Sequence, residues 1–273
     1  MSFRAGAVGQ VRRDDGTRDG GTVSYEVHGA GPLVVLAHGT GENRRSYRHL
    51  IPLLVAAGYR VAAVDVRGHG ESSPHWPSYA PAEVGADLLA VVRTLGGPAT
   101  LVGSSFSGAA VVFAAAEAPD LVAGIVQIAP FVAEPKPNPL TRAAQALVLR
   151  SPRLFGRYHR TLFPVVRPPD DAAYRRDLVA GLRGRMHAVR GVIAPATPHW
   201  TARASRVRQP VLVLMGRQDP DFADPAAEAR AARRRFATAE ARMIEDSGHY
   251  PHADQPAATA AQLTEFLAVT GRA

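Results

Sequence analysis

The chain contains no cysteine. Disulfides, thiolate metal sites and cysteine nucleophiles are therefore excluded together. Lysine is almost missing as well. Lys136 is the single one, and the rest of the 32 basic residues are arginines. The formal net charge is +8, but the arginine clusters Arg44-Arg45 and Arg233-Arg234-Arg235 are short. They fall on helix-like stretches and are not interleaved with aromatics, so no nucleic-acid partner is expected. No run approaches the roughly 20 apolar residues that a membrane span needs. Residues 1–21 are polar and lack the apolar centre of a secretory signal. No membrane association is expected, and the cytoplasm is the default location. The ten histidines form no H-E-x-x-H or comparable pair, and the Gly-rich loops lack the G-x-x-x-x-G-K-[ST] form. Neither a metal nor a cofactor is called for. There is no internal repeat and no low-complexity tract.

At 273 residues and 46% hydrophobic content, the chain suits one α/β domain carrying an insertion. Residues 22–28 alternate as a half-buried strand should, with Val23, Tyr25 and Val27 on one face. Residues 33–37 form a continuous apolar run, the pattern of a strand covered on both faces. Further strands are expected at 59–64, 99–104, 121–129, 209–216 and 241–244. Helices are expected between them at 45–57, 81–95, 110–118, 224–236 and 255–269. This alternation predicts a mostly parallel sheet with helices on both faces. Chemistry in such sheets sits outside the carboxyl ends of the strands.

The alternation breaks between 134 and 205. Prolines recur there, at Pro135, Pro137, Pro139, Pro164, Pro168, Pro169, Pro195 and Pro198. Short helical stretches such as 143–149 and 172–182 lie between them. The expected organisation is a core built from 1–133 and 206–273, with 134–205 as a helical lid over the top of the sheet.

Three side chains stand out, each just after a predicted strand. Ser105 sits at the apex of Gly103-Ser104-Ser105-Phe106-Ser107-Gly108, a strand running sharply into a helix. Small neighbours suit a turn where strand and helix pass close together. Ser107 stands where the G-x-S-x-G pattern has its last glycine. Ser104 and Ser107 compete with Ser105 as nucleophile, and Ser105 is preferred because it holds the apex. Asp219 follows the Gly216 turn; Asp221, Asp224 and the more remote Glu134 are alternatives, with Asp224 better read as a helix cap before Pro225. His249 follows Gly248, and His252 is read as supporting the last helix. A serine hydroxyl needs a base to take its proton, and the base needs a carboxylate to hold its tautomer.

The chain resembles the α/β-hydrolase fold superfamily over about residues 23–267. His38-Gly39 resembles its oxyanion-loop motif, Asp65-Val66-Arg67-Gly68-His69-Gly70-Glu71-Ser72 its D-x-R-G-x-G-x-S stretch, and Gly103 to Gly108 its nucleophile turn. Gly216-Arg217-Gln218-Asp219 resembles the acid loop and Gly248-His249 the histidine loop. The resemblance implies Ser105 as nucleophile, Asp219 as acid and His249 as base. It places the oxyanion hole at the backbone N–H groups of Thr40 and Phe106. His38, Asp65, Arg67 and His69 are read as structural, with Asp65 pairing Arg67 across the loops. Superfamily members that open epoxides or remove halides use an aspartate at this turn. Serine instead implies acyl transfer: hydrolysis of a carboxylic ester or thioester, with C–C (diketone) hydrolysis or lactone opening as alternatives on the same triad. A non-hydrolytic ligand-binding protein is the alternative of another class. The expected partner is a small, partly apolar carbonyl substrate. Phe131, Phe155, Phe163, Trp200, Trp76 and Tyr250 are candidates to line its pocket. Homo-oligomerisation is left open by the sequence.

Overall fold

The computed structural model describes residues 6–14, 20–132, 139–193 and 199–270. Its strands are β1 (Ala7–Arg13), β2 (Gly21–His28), β3 (Leu33–Ala37), β4 (Arg60–Val64), β5 (Ala99–Ser104), β6 (Val122–Ile128), β7 (Val211–Gly216) and β8 (Ala239–Ile244). They form one sheet in the order β1-β2-β4-β3-β5-β6-β7-β8. The pairs β1–β2 and β2–β4 are antiparallel, and all pairs from β4 to β8 are parallel. The central strands β3, β5 and β7 are buried along their whole length, as their apolar runs require.

The helices of the core are α1 (Ile51–Ala56), α2 (Pro81–Leu95) and α3 (Phe106–Glu117). Five more, α4 (Pro139–Val148), α5 (Pro152–Thr161), α6 (Asp171–Gly181), α7 (Met186–Ile193) and α8 (His199–Ala204), intervene between β6 and β7. The chain then closes with α9 (Pro225–Arg233), α10 (Pro251–Asp254) and α11 (Pro256–Thr270). Right-handed crossovers fix their sides. The step from β3 to β4 runs one way along the sheet and the steps to β5 and β6 run the other, so α1 covers one face and α2 and α3 the opposite one.

That reversal of direction between β3 and β5 positions the site. The two strands are neighbours, with Ala37 opposite Gly103. The loops that leave them, beginning at His38 and Ser104, therefore emerge side by side, at the kind of crevice where open α/β sheets bind ligands. The register of β7 and β8, with Gly216 opposite Ile244, brings the Asp219 and His249 loops out together in the same way.

The structure departs from the sequence-based expectation in several places. β1 was not expected, because its residues are polar or exposed (Val8 is 59% exposed) and show no buried face; it pairs with β2 across the sheet edge. The stretch 45–57 is not one helix. Arg44–Tyr47 is a single 3-10 turn, and α1 starts at Ile51 with Pro52 in its first turn. Helix α3 begins at Phe106, directly after Ser105. Pro135, Pro137, Pro195 and Pro198 lie outside the described residues.

Candidate active site

Ser105 is the only residue between β5 and α3. Its backbone is at φ 53°, ψ −119°, a conformation that costs a residue with a side chain about 1–3 kcal/mol. The turn is held by the Ser105 N–H, which donates to the Ile128 carbonyl at 2.7 Å. Close approach explains Gly103: a Cβ there would lie 2.1 Å from the Ser107 carbonyl oxygen. The competitors of Ser105 are both withdrawn from solvent. Ser104 is fully buried. Ser107 is also fully buried, and its hydroxyl donates to the His38 carbonyl at 2.6 Å. The Ser105 hydroxyl has no hydrogen-bond partner among the described residues.

The loop after β3 is braced by two neutral histidines. His38 Nε2 accepts from the Val66 N–H at 2.9 Å, so Nδ1 carries the proton and donates to the Gly39 carbonyl at 2.8 Å. His69 Nε2 accepts from the Gly41 N–H at 3.2 Å, and its Nδ1 donates to the Arg67 carbonyl at 3.0 Å. Burial lowers the pKa of both, that of His69 to about 3. These contacts leave the Thr40 N–H without an acceptor among the described residues, and the same holds for the Phe106 N–H at the start of α3. Asp65 does not pair with Arg67 as expected. Asp65 binds the backbone and guanidinium of Arg44, and Arg67 binds Asp87 through two 2.7 Å bonds. Arg67 faces α2 rather than the sheet, which separates the two.

Asp219 and His249 are both buried, and Asp219 Oδ2 lies 2.7 Å from His249 Nδ1. Asp221 Oδ2 is farther, at 3.8 Å, and Asp224 caps α9 by accepting from the Ala227 N–H. Glu134 lies outside the described residues. Burial alone would lower the His249 pKa, but the Asp219 carboxylate, helped by Asp221 and Glu42, more than offsets this and raises it. The tautomer follows: Nδ1–H faces the carboxylate, which leaves Nε2 without a proton in the neutral ring. Asp219, Asp221 and His249 are the one group among the described residues whose ligand-type atoms converge, within 4.8 Å of one another. The 2.7 Å contact makes them a proton-sharing pair with a neighbouring carboxylate. His252 stacks on Tyr47 and bonds Ser46.

Gly39 sits between Ser105 and the histidine loop. A Cβ on Gly39 would lie 3.3 Å from Ser105 Cβ and 3.1 Å from the ring of Tyr250, the residue after His249. Of the candidate pocket residues, Tyr250, Phe131 and Phe163 come together here. Phe131 is 5.9 Å from the His249 ring and Phe163 is 5.8 Å from Tyr250, centroid to centroid. Phe155 reaches the rim of the same region, its ring lying against Gly41. Trp200 stands behind the site, bonding the Phe131 carbonyl and stacking on Phe236. Trp76 is not brought to the site; its indole packs on Gly21 and under the Arg67 guanidinium.

Sequence reasoning assigned no role to Glu42, Tyr158 or His159. Glu42 Oε1 is 3.2 Å from His159 Nε2 with both side chains buried, and the Tyr158 hydroxyl donates to both oxygens of Asp221 at 3.0 and 3.1 Å. Tyr158 and His159 belong to α5, far in sequence from their partners. Only Glu42, inside the oxyanion-type loop, carried a local signal.

A mostly parallel eight-stranded sheet with this strand order and these loops at its carboxyl ends is the α/β-hydrolase fold. Residues 34–262 match the alpha/beta hydrolase family, and the chain belongs to it. Over 101 residues, 36% of this chain, it is 43% identical to epoxide hydrolase B of Mycobacterium tuberculosis, a match that spans 28% of that relative's length. Over 90% of the chain it is 26% identical to a 2-(acetamidomethylene)succinate hydrolase of Mesorhizobium japonicum, covering 91% of that protein. The crystal structure of an esterase from Rhodococcus sp. aligns with a TM-score of 0.77 at 24% identity, covering 98% of this chain and 99% of that one. That likeness bears on the fold alone. Among the described residues, no helix is long and apolar enough to cross a membrane.

Proposed function

We propose that this protein is a serine hydrolase that cleaves a carboxylic ester or thioester through an acyl-enzyme. The observations that carry this reading are the buried 2.7 Å contact of Asp219 with His249 Nδ1 and the strained turn that holds Ser105. Ser105 Oγ attacks the substrate carbonyl while His249 Nε2 takes its proton. The tetrahedral oxyanion is met by the Thr40 and Phe106 N–H groups, both free of other acceptors among the described residues. The N-terminus of α3 adds its positive end at the same place. The tetrahedral intermediate collapses to the acyl-enzyme as His249 returns the proton to the leaving oxygen or sulfur. A water, deprotonated by His249, then attacks the Ser105 ester, and collapse of the second intermediate releases the acid and restores the hydroxyl.

A carboxylate nucleophile, as epoxide opening through an alkyl-enzyme would need, is absent from position 105. Phe131, Phe163 and Tyr250 form the apolar wall for the substrate, and the inserted helices α4–α8 act as its lid. The test is hydrolysis of p-nitrophenyl acetate and butyrate by wild type and Ser105→Ala. Wild type is expected to turn over both esters and the variant neither. Equal rates in the two proteins would sink the reading.

A further inference from the structure

His249 Nδ1 faces two carboxylates. Asp219 takes the hydrogen bond at 2.7 Å, and Asp221 Oδ2 stands at 3.8 Å. The acid loop is folded to hold both. The Asp221 N–H donates to Asp219 Oδ1 at 3.0 Å, so each oxygen of Asp219 has its own partner. Two carboxylates this close repel, and Asp221 is largely buried. Its charge needs a donor, and the donor comes from outside the loop. The Tyr158 hydroxyl, on the inserted helix α5, reaches both Asp221 oxygens at 3.0 and 3.1 Å. The same end of α5 also grips the histidine loop, because the Leu162 carbonyl accepts from the His249 N–H at 3.0 Å.

We propose that Asp221 is a second carboxylate partner of the base His249, and that Tyr158 holds it in place from the inserted helix. Both are positioning residues. This rests on His249 being the base of the reaction proposed above. In each proton transfer His249 becomes an imidazolium, and two anions stabilise it where one would do less. Burial and the Asp219 charge push the Asp221 pKa up, while His249 and the Tyr158 hydrogen bonds pull it down. Tyr158 thus helps keep Asp221 ionised.

The other groups facing His249 stay unchanged in the test: Asp219, Glu42 across the site, His252, and the rings of Tyr250, Phe131 and Phe222. Asp221→Asn removes one anion, so the imidazolium is less favoured and the His249 midpoint falls. Tyr158→Phe lets Asp221 take up a proton at higher pH and moves the midpoint the same way by less. The experiment is an NMR pH titration of the His249 imidazole, its signal assigned by loss in His249→Gln, in wild type and both variants. The expected result is a downward shift of about one pH unit in Asp221→Asn and a smaller one in Tyr158→Phe. The acid limb of kcat/KM for p-nitrophenyl acetate should follow. An unmoved midpoint in either folded variant overturns the proposal. Ser105→Ala is assayed alongside. If it hydrolyses the ester as fast as wild type, the serine mechanism falls, while the NMR midpoints still decide the Asp221–Tyr158 pair.

Discussion

The Ser107 hydroxyl donates a 2.6 Å hydrogen bond to the carbonyl oxygen of His38. It bolts the strand-to-helix turn at Ser105 to the loop after β3, and both residues are sealed from solvent. Glycine at 107 would leave that carbonyl unpaired. Ser107→Ala should cost about 1–2 kcal/mol of stability and lower kcat more than it raises KM, since the loop carrying Thr40 loses an anchor. Urea melts together with steady-state kinetics decide it; an unchanged midpoint and kcat would mean the bond holds nothing.

Ser105 should trade stability for function. With φ at 53°, Ser105→Gly relieves the strain and should be roughly 1 kcal/mol more stable than wild type. The ester hydrolysis proposed above should fall at least about 1,000-fold. A glycine variant less stable than the parent would show that the turn is not strained.

Gly39 separates the Ser105 Cβ from the Tyr250 ring. A methyl there would meet both at 3.1–3.3 Å, tighter than comfortable contact, and one of them must shift. Gly39→Ala should lower kcat about tenfold or more through misplacement of the reacting groups. Wild-type kcat in that variant would show that Tyr250 can move aside freely.

The buried Glu42–His159 contact predicts a stability penalty when one side is removed. The Glu42 carboxylate is 2% exposed, and burial works against its charge while the His159 hydrogen bond holds its pKa below the ordinary value. His159→Phe strands that carboxylate and should cost about 3 kcal/mol. Adding Glu42→Gln should recover part of the loss, a non-additivity that a double-mutant cycle in urea reads directly.

His252 makes a prediction about acid. Burial lowers its pKa to about 4, so the folded protein keeps it neutral while the unfolded chain takes up a proton below about pH 6.5. Its contribution is present above that pH and is lost as pH falls from about 6.5 toward 4. Between pH 7 and 5 this amounts to about 2 kcal/mol. His252→Gln should lose correspondingly less stability over that interval; an identical pH dependence in the two proteins would refute it.

Ser105, Asp219 and His249 could be singled out as candidates because each sits close beyond a strand, and local sequence marks strands and glycine turns well. Asp224 as a cap was legible for the same reason. Asp65, Arg67 and their true partners were not. Charge types can be read from the chain, but the choice of Arg44 for Asp65 and Asp87 for Arg67 depends on how α2 docks. Tyr158 and His159 were invisible as site residues because their partners lie 63 and 117 positions away. β1 escaped notice for the opposite reason: an exposed edge strand needs no apolar face to announce it.

The β6–β7 pairing keeps its register, Ile125 opposite Val211 through Ile128 opposite Leu214, although five helices intervene between the two strands. Closing a longer loop costs entropy only as the logarithm of its length, about 0.6 kcal/mol per doubling. The sheet is therefore nearly indifferent to how much chain is spliced in at this point. The loops carrying Glu42, Asp221 and His249 are not, because α5 holds them through Tyr158, His159 and Leu162. A graft that exchanges α6 and α7 and spares α5 and α8, whose Trp200 is buried in the main core, should leave the fold closed and the chemistry in place, and would make the middle of the insertion a replaceable cassette for changing the substrate.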